Sequence, residues 1–293
     1  MRMPEIPQDI RELLLTFQKN EITEHHIYRR IAGNADSEEN ARVLERISNH
    51  ELQHYKIWKN YTGEDVKPDW FKVWRYVAIA RIFGFTFATR LMEKGEQNAQ
   101  KNYEQLVPHI KEARQVINDE DAHEEELLAL LDEKRLAYTG SIVLGLNDAL
   151  VELTGALAGL TLALQNTRLI ALTGLITGIA AAMSMGASEY LATKSEENGK
   201  QPVKASIYTG TAYLLTVAVL ILPYLVFSHY MVCLAFTLLG ALLIIAFFNF
   251  YISVAKDLNF KHRFTEMAAL SFGVAGLSFV IGWIIRSFLG VDV

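Results

Sequence analysis

The stretch NHELQHYKIW, residues 49–58, places Glu51 three residues before His54. Residues three apart project from the same side of a helix, so this pair offers a carboxylate and an imidazole to one point in space. The same Glu-x-x-His spacing recurs downstream at Glu120 and His123. A single pair of this kind is a weak signal. Its meaning depends on the helices that carry it.

Helical periodicity runs through nearly all of the first 138 residues. It is interrupted where Gly and Pro end helices, at residues 33–37, 62–69 and 107–108. The short connections favour an antiparallel bundle. The pattern predicts four helices, at roughly 8–32, 37–61, 69–106 and 109–137.

The first and third predicted helices each carry a glutamate seven residues before a tyrosine, Glu21 before Tyr28 and Glu96 before Tyr103. The four helices thus supply Glu, Glu-x-x-His, Glu and Glu-x-x-His, the ligand set of a di-iron or di-manganese centre in a ferritin-like bundle. Several anionic oxygens offset the charge of two cations, and one imidazole per ion favours iron or manganese over calcium. The candidate metal ligands are Glu21, Glu51, His54, Glu93, Glu96, Glu120 and His123.

Neighbouring ionisable residues have more than one interpretation. Glu24 and Glu93 lie one turn from Glu21 and Glu96, and they are either alternate ligands or ordinary surface acids. For the whole ligand set, the structural alternative is a group of solvated helix faces with salt bridges. Residues expected at the surface, with an additional cation site as the alternative, are His25, His26, His50, Asp121, Glu124 and Glu125.

The distribution of charge divides the chain into two unlike parts. Residues 1–138 contain 20 of the 28 Lys and Arg and 25 of the 33 Asp and Glu, whereas residues 139–293 contain eight of each sign. The first part is therefore expected to be a soluble acidic domain and the second a membrane domain. No basic patch indicates nucleic-acid binding. The single Cys233 excludes a disulfide framework and a thiolate metal site.

Five apolar segments in the second part each exceed the roughly 20 residues that a helix needs to cross a bilayer. They are Ser141–Gln165, Leu169–Ala192, Ser206–Phe227, Tyr230–Ala255 and Met267–Phe288. An odd number of spans places the two termini on opposite sides. The loops on the N-terminal side hold eight Lys and Arg and those on the other side only two, which predicts a cytoplasmic N-terminal domain. No signal peptide is expected, and the expected location is the cell membrane.

Residues 73–92, VWRYVAIARIFGFTFATRLM, are apolar enough to resemble a sixth span. However, Arg75, Arg81 and Arg90 are spread along this segment, and each would cost a few kcal/mol at membrane depth. The segment is instead expected to be a helix of the soluble domain that is either buried or touching the membrane.

Ionisable residues inside a span usually face a pathway or a partner. Asp148 and Glu152 lie four residues apart on one face of the first span. Glu189 lies in the second span, after Met183 and Met185. Carboxylates combined with thioether sulfur suit a first-row divalent cation such as Fe²⁺. The alternative is that the methionines fill packing gaps and that Glu189 lies at a helix end near water.

With these motifs the chain resembles a family in which a rubrerythrin-like ferritin domain is fused to a vacuolar-iron-transporter domain, sometimes called membrane-bound ferritin. The resemblance covers essentially the whole chain. In the second part it rests on GLNDALV around Asp148 and on MSMGASEYLATKS around Met185 and Glu189. In the first part it rests on Glu21, Glu51 with His54, Glu93 with Glu96, and Glu120 with His123.

The resemblance implies an all-α fold, with a ferritin-like four-helix bundle in residues 1–138 and a five-span domain in residues 139–293. It implies export of Fe²⁺, or of Mn²⁺, from the cytosol in exchange for protons, along a pathway at the interface of a homodimer. Asp148 and Met185 match residues that line this pathway, and Glu189 matches a glutamate at its cytosolic end. The bundle would capture, sense or oxidise iron at a di-iron centre. The alternative is a membrane-anchored di-iron oxidase, a ferroxidase or peroxidase, that transports nothing.

Two features depart from the family pattern. Relatives without a ferritin domain carry a larger acidic helical module between the second and third spans, whereas here only residues 194–204, KSEENGKQPVK, join them. The bundle is therefore expected to take over metal collection. In addition, Ser188 precedes the span-2 glutamate where the family usually has Gly. This difference is expected to alter helix packing without removing the acid.

Overall fold

The protein is described by a computed structural model that covers residues 6–35, 37–92, 94, 106–129, 133–196, 200–256 and 258–289. Regular secondary structure in these residues is entirely helical, which confirms the predicted all-α class. The chain forms two compact units, Met1–Asp132 and Glu133–Val293. The domain boundary predicted after residue 138 lies a few residues C-terminal to this division, inside the first helix of the second unit.

The N-terminal unit contains five helices in its described residues, and neighbouring helices pack along apolar faces. Helix α1 packs against α2 and α3, and α5 packs against α2. Trp58 on α2 and Phe17 on α1 belong to one core cluster and are almost fully buried. The helices are α1 (Gln8–Ala32), α2 (Glu38–Thr62), α3 (Trp70–Phe83), α4, whose described part is 85–92, and α5 (Ala113–Ala129).

Side-chain caps and a glycine fix the ends of α2 and the start of α3. The Ser37 hydroxyl accepts a hydrogen bond from the backbone N–H of Asn40, as expected for a helix N-terminus. Gly63 ends α2 with a φ of 68°, a left-handed conformation that glycine adopts without steric cost. The Asp69 carboxylate then accepts from the N–H of Lys72 and starts α3.

The continuous helix predicted over residues 69–106 is wrong, because the chain breaks at Gly84. This residue has a φ of 92° and a ψ of 154°, which lies outside the helical region and requires glycine. Helix α3 therefore ends at Phe83 and the described part of α4 begins at residue 85. Residues 95–105 lie outside the described residues. The helix predicted at 109–137 also begins later than expected, since residues 106–112 are not helical and α5 begins at Ala113.

The C-terminal unit contains five helices that are long and apolar enough to cross a membrane, which confirms the predicted number of spans. Helix α6 packs against α10 and α8, and α7 packs against α8. The segment 73–92 is not among these spans. The helices are α6 (Glu133–Leu164), α7 (Thr167–Ser195), α8 (Pro202–Val226), α9 (Tyr230–Ala255) and α10 (Phe260–Leu289).

Two glycines allow the closest helix contacts of this unit in the described residues. A Cβ atom at Gly145 on α6 would overlap the backbone carbonyl of Thr209 on α8. A Cβ atom at Gly282 on α10 would overlap the carbonyl of Gly159 on α6. Small residues at these crossings let the backbones meet directly, which is a main source of helix association in lipid. The position of α6 between α8 and α10 therefore depends on these two glycines.

Candidate metal centre

Three helices of the N-terminal unit bring four of the predicted ligands together. Glu21 comes from α1, Glu51 and His54 from α2, and Glu120 from α5. One ligand atom from each residue lies within 4.8 Å of all the others. Helical spacing places Glu51 beside His54, and the packing of α5 against α2 adds Glu120. The group is the size of a metal coordination sphere.

His123 joins this group through the two central glutamates. The Nδ1 atom of His54 lies 3.1 Å from Oε1 of Glu120 and 3.6 Å from Oε2 of Glu51. The Nδ1 atom of His123 lies 3.1 Å from Oε1 of Glu51 and 3.8 Å from Oε2 of Glu120. Each glutamate therefore directs one oxygen to each histidine. Two carboxylates shared in this way between two imidazoles can bridge a pair of cations.

The donor atoms fit a metal better than they fit a network of hydrogen bonds. Glu51 Oε2, His54 Nδ1, Glu120 Oε1 and His123 Nδ1 are buried, and none has a hydrogen-bond partner within the described part of the chain. Buried polar atoms without such partners are costly. A divalent cation would satisfy all four, since carboxylate oxygens and imidazole nitrogens are its usual ligands.

The outer nitrogen of each imidazole is held by a residue that was not predicted to take part. His54 Nε2 lies 3.2 Å from Oδ2 of Asp119, and His123 Nε2 lies 2.9 Å from Nδ1 of His50. When Nε2 carries the proton and donates it to such an acceptor, the lone pair of Nδ1 points to the centre. Outer contacts of this kind fix the tautomer and ring orientation of metal-binding histidines.

The acidic side chains and the imidazoles of the cluster shift one another's pKa values. Burial alone would lower the pKa of His123, but the adjacent carboxylates of Glu120 and Glu51 outweigh this effect and raise the pKa to about 10. Burial would raise the pKa of Glu120, but contacts with His123 and His54 lower it to about 2. The pKa of Glu51 is raised, first by burial and then by the charge of Glu120. The protons on the imidazoles compensate the negative charge that a cation would otherwise neutralise.

A tryptophan orients the remaining glutamate. The indole Nε1 of Trp58 donates to Oε1 of Glu21 at 2.9 Å, and Oε2 of Glu21 lies 3.6 Å from His54 Nδ1. The indole comes from α2, four residues after His54. Helix α2 thus supplies two ligands and also positions the third, which lies on α1.

Several neighbouring residues differ from the expectation of a solvated surface. His25 is buried, not at the surface, because its Nδ1 lies 2.7 Å from the backbone oxygen of Ser48. Glu24 is also buried and pairs with Lys72 at 3.4 Å, so it is not a surface acid. His50 is half-buried against His123. His26 is half-buried, whereas Asp121 and Glu125 are exposed as expected.

Two predicted ligands, Glu93 and Glu96, lie outside the described residues, as does the side chain of Glu124. Their participation stays a prediction. Sequence spacing does not assign Asp119 or His50 to this cluster, because neither lies on the same helix as its partner. Asp119 on α5 reaches His54 on α2 only through the packing of the two helices.

The predicted pathway residues of the C-terminal unit lie at different heights along α6 and α7. Near the start of α6, the Ser141 hydroxyl donates to Oε1 of Glu189 at 2.5 Å, and the Thr193 hydroxyl donates to the same oxygen at 3.4 Å. Asp148 is half-buried further along α6. Glu152 accepts a hydrogen bond from Tyr213 at 3.1 Å. Glu189 and Glu152 are therefore each held by a hydroxyl group of a neighbouring helix.

The two methionines of α7 have different surroundings. Met185 is partly buried and packs against the core of the C-terminal unit, which agrees with a packing role. Met183 is 72% exposed, so it fills no gap within this chain. The interpretation of Met183 as a core filler is therefore wrong, because its side chain points away from the core.

A cavity of about 440 Å³ opens beside Glu152 in the C-terminal unit. Its polar lining includes Tyr213, Thr177 and Ser278, while Gly155 and other small residues form much of the wall. It also reaches Ala163 and Ile285, which lie near the C-terminal ends of α6 and α10. The cavity thus leads from the middle of the unit towards the end opposite to Ser141 and Glu189.

Comparison with known protein families identifies a segment of the C-terminal unit. Residues 139–201 match the model of the VIT family. This segment contains Asp148, Glu152, Met183, Met185 and Glu189. No curated protein sequence and no solved structure matches the chain. The match and the five spans support the vacuolar-iron-transporter part of the resemblance and indicate an integral membrane protein that moves a metal ion.

Proposed function

We propose that the protein exports Fe²⁺ from the cytosol across the cell membrane in exchange for protons, with Mn²⁺ as a second cargo. The observation that carries this proposal is the VIT-family match over residues 139–201, which contains Asp148, Glu152 and Glu189 inside the first two spans. Acids inside spans are costly in lipid and are typical of ion pathways. A helical anchor alone would need none of them.

The acids are spaced along α6 in a way that suits stepwise transfer of a cation. Glu189 on α7 lies at the level of Ser141 on α6, because the two side chains are hydrogen-bonded. At a rise of about 1.5 Å per residue, Asp148 lies about 10 Å beyond Ser141, and Glu152 lies about 16 Å beyond it. Glu152 therefore lies near the middle of a ~30 Å hydrocarbon core. From there the cavity beside Tyr213 continues towards the opposite side.

A homodimer would complete this pathway. Glu152 and Met183 are exposed on a single chain, although both lie within spans. A carboxylate facing lipid is expensive. A second copy that covers this side would place Glu152 and Met183 between two chains, where they would contact cargo and not lipid.

The N-terminal unit is proposed to bind iron on the cytosolic side as a ferritin-like domain. The C-terminal unit is proposed to export the metal across the membrane. Glu21, Glu51, His54, Glu120 and His123 would hold a di-metal centre, and the predicted ligands Glu93 and Glu96 would complete it. Bound iron supplies one-electron redox chemistry. The protein supplies bridging carboxylates, imidazoles fixed in orientation by Asp119 and His50, and a buried site that excludes water.

The deciding experiment is Fe²⁺ flux into proteoliposomes that contain the full-length protein, without oxygen and with an imposed pH gradient. We expect flux that follows the gradient and stops when the gradient is collapsed. Flux that is independent of the pH gradient would contradict the proton exchange but would still agree with metal transport. Absence of flux from protein that is folded and binds iron would contradict the transport function itself.

One observation favours a second function, a membrane-anchored di-iron oxidase acting on ferrous iron or peroxide. Glu51 and Glu120 each face both histidines, an arrangement that would hold two cations close together. In this case the same liposomes would show no flux, while oxygen or peroxide would be consumed with oxidation of Fe²⁺. Replacing Glu51 with Ala would abolish that consumption, and replacing Asp148 with Ala would leave it unchanged.

A further inference from the structure

Helix α3 carries an exposed aromatic stripe whose side chains no other part of the described chain covers. Phe71 is 78% exposed, Trp74 is 57% exposed and Ile82 is 71% exposed. The opposite face of the helix, with Val73 and Val77, is buried in the core of the N-terminal unit. Large exposed apolar groups that cluster on one helix face indicate an interaction surface.

The same stripe is basic. Arg75 and Arg81 are exposed beside Trp74 and Ile82. Helix α3 contains no Asp or Glu, although residues 1–138 carry 25 acidic and only 20 basic side chains. On the adjacent helix α1, the Arg30 guanidinium lies 5.0 Å from the ring centre of Trp70 and 5.3 Å from that of Trp74. A basic surface has therefore been concentrated on one side of an acidic unit.

We propose that this stripe, defined by Phe71, Trp74, Arg75, Arg81 and Ile82, binds the anionic headgroup layer of a lipid bilayer. Tryptophan and phenylalanine are the side chains that enter the boundary between headgroups and acyl chains. Arginines keep their charged ends in the headgroup region while their methylene groups contact apolar surface. Each basic residue near an anionic membrane adds further attraction.

Two features favour lipid over a second copy of the chain as the binding partner: the charge of the stripe, and its presence in a chain that also carries membrane-spanning helices. If two copies of the stripe met across a two-fold axis, Arg75 and Arg81 of both chains would face each other, and like charges at an interface are unfavourable. A bilayer is present wherever the chain is inserted in a membrane, since five of its helices are long and apolar enough to cross one. Attachment to the membrane raises the effective concentration of lipid, so even a weak contact would be populated. This inference does not depend on the proposed transport function.

Site-directed spin labelling of the full-length protein tests the proposal. The single cysteine, Cys233, is buried, and replacing it with Ser gives a background for one label at a time. Phe71→Cys places a nitroxide within the stripe. Glu45→Cys places a matched nitroxide at an exposed position on α2. Collision rates with oxygen, which is concentrated in lipid, and with a water-soluble nickel chelate are then measured in liposomes that contain anionic phosphatidylglycerol.

We expect the label at position 71 to be several-fold more accessible to oxygen, relative to the nickel chelate, than the label at position 45. Replacing Arg75 and Arg81 with Gln should lower the equilibrium constant for contact by about 30-fold, at roughly fivefold for each arginine. A label at position 71 that is as water-accessible as the label at position 45 would overturn the proposal. So would a label shielded from both reagents and close to a second nitroxide, because that result would assign the stripe to a second copy.

The variants need a test of folding that is separate from lipid contact. Trp74→Cys provides a second label position on the stripe, so failure of Phe71→Cys to fold does not end the experiment. Elution of each variant in detergent and its helical content report on folding. Two well-folded stripe labels that both fail to contact lipid would refute the inference, whatever the outcome of the flux measurement.

Discussion

His50 Nδ1 lies 2.9 Å from His123 Nε2, while His123 Nδ1 faces the oxygens of Glu51 and Glu120. If Nε2 of His123 carries the proton, Nδ1 of His50 accepts a hydrogen bond from it. The inner nitrogen of His123 then has a free lone pair to bind a cation. His50 would therefore position one ligand of the candidate metal centre, just as Asp119 would position His54.

Replacing His50 with Ala should weaken metal binding by 10- to 100-fold, because loss of an outer hydrogen bond commonly costs this much affinity. His50→Gln should retain most of the affinity, since its amide oxygen can accept the same proton. Titration of metal-free protein with Mn²⁺, followed by equilibrium dialysis, measures both values. His109→Ala, at an exposed position, is the matched control. Equal affinity for His50→Ala and His109→Ala would show that His123 needs no such partner.

Replacing Asp148 with Ala should abolish Fe²⁺ flux in proteoliposomes while leaving metal bound to the N-terminal unit. The reason is that Asp148 lies within the first span, whereas the metal ligands belong to a separate compact unit. The double replacement of Glu51 and His54 by Ala should remove the bound metal and reduce flux only in part. Flux and metal content measured on the same preparations test this division. Loss of both properties in both variants would contradict it.

The stability of the metal-free N-terminal unit should fall as the pH rises. The pKa of His123 is raised from 6.5 to about 10 in the folded protein, so its contribution to stability is complete below pH 6.5 and is lost as the pH passes through about 10. The raised pKa of Glu51 acts in the same direction. Urea titrations with chelator present, at pH 6.5 and at about pH 9.5, should show a lower midpoint at the higher pH.

His123→Gln provides the control for this pH dependence, because glutamine does not titrate. The difference in urea midpoint between the two pH values should shrink in this variant. A difference that stays as large as in the unmodified protein would assign the pH dependence to other groups.

Replacing Gly282 with Ala should destabilise the C-terminal unit, because the new methyl group would overlap the carbonyl of Gly159. Overpacking of this kind typically costs about 1–3 kcal/mol. Gly276→Ala on the same helix is a matched control, since a Cβ atom there would meet nothing within 4 Å. Thermal stability in detergent, followed by size-exclusion chromatography, should be lower for Gly282→Ala only. Equal stability of the two variants would show that α6 and α10 separate at little cost.

The sequence was sufficient for features that depend on a short repeating pattern. The bounds of α1 and α2 followed from apolar periodicity and from the interruptions at residues 33–37 and 62–69, and the five spans followed from uninterrupted apolar length. The pairing of Glu51 with His54 followed from helical spacing. Each of these depends on residues close together in the chain.

Features that depend on contacts between helices could not be predicted. The break at Gly84 was missed because an isolated glycine within a helical pattern is compatible with a continuous helix. The burial of His25 depends on Ser48 of a neighbouring helix, and its polar, charged surroundings in the sequence suggested a solvated position. The same reason explains why His50 and Asp119 were not assigned to the metal centre.

The hydrogen bond from Trp58 to Glu21 gives the candidate metal centre an optical reporter of its own. Trp58 is fully buried, whereas Trp70, Trp74 and Trp283 are 44%, 57% and 60% exposed. Replacing Trp70, Trp74 and Trp283 with Phe leaves Trp58 as the single indole of the chain. Because a cation bound by Glu21 would alter the acceptor of this indole, the emission of that variant measures occupancy directly.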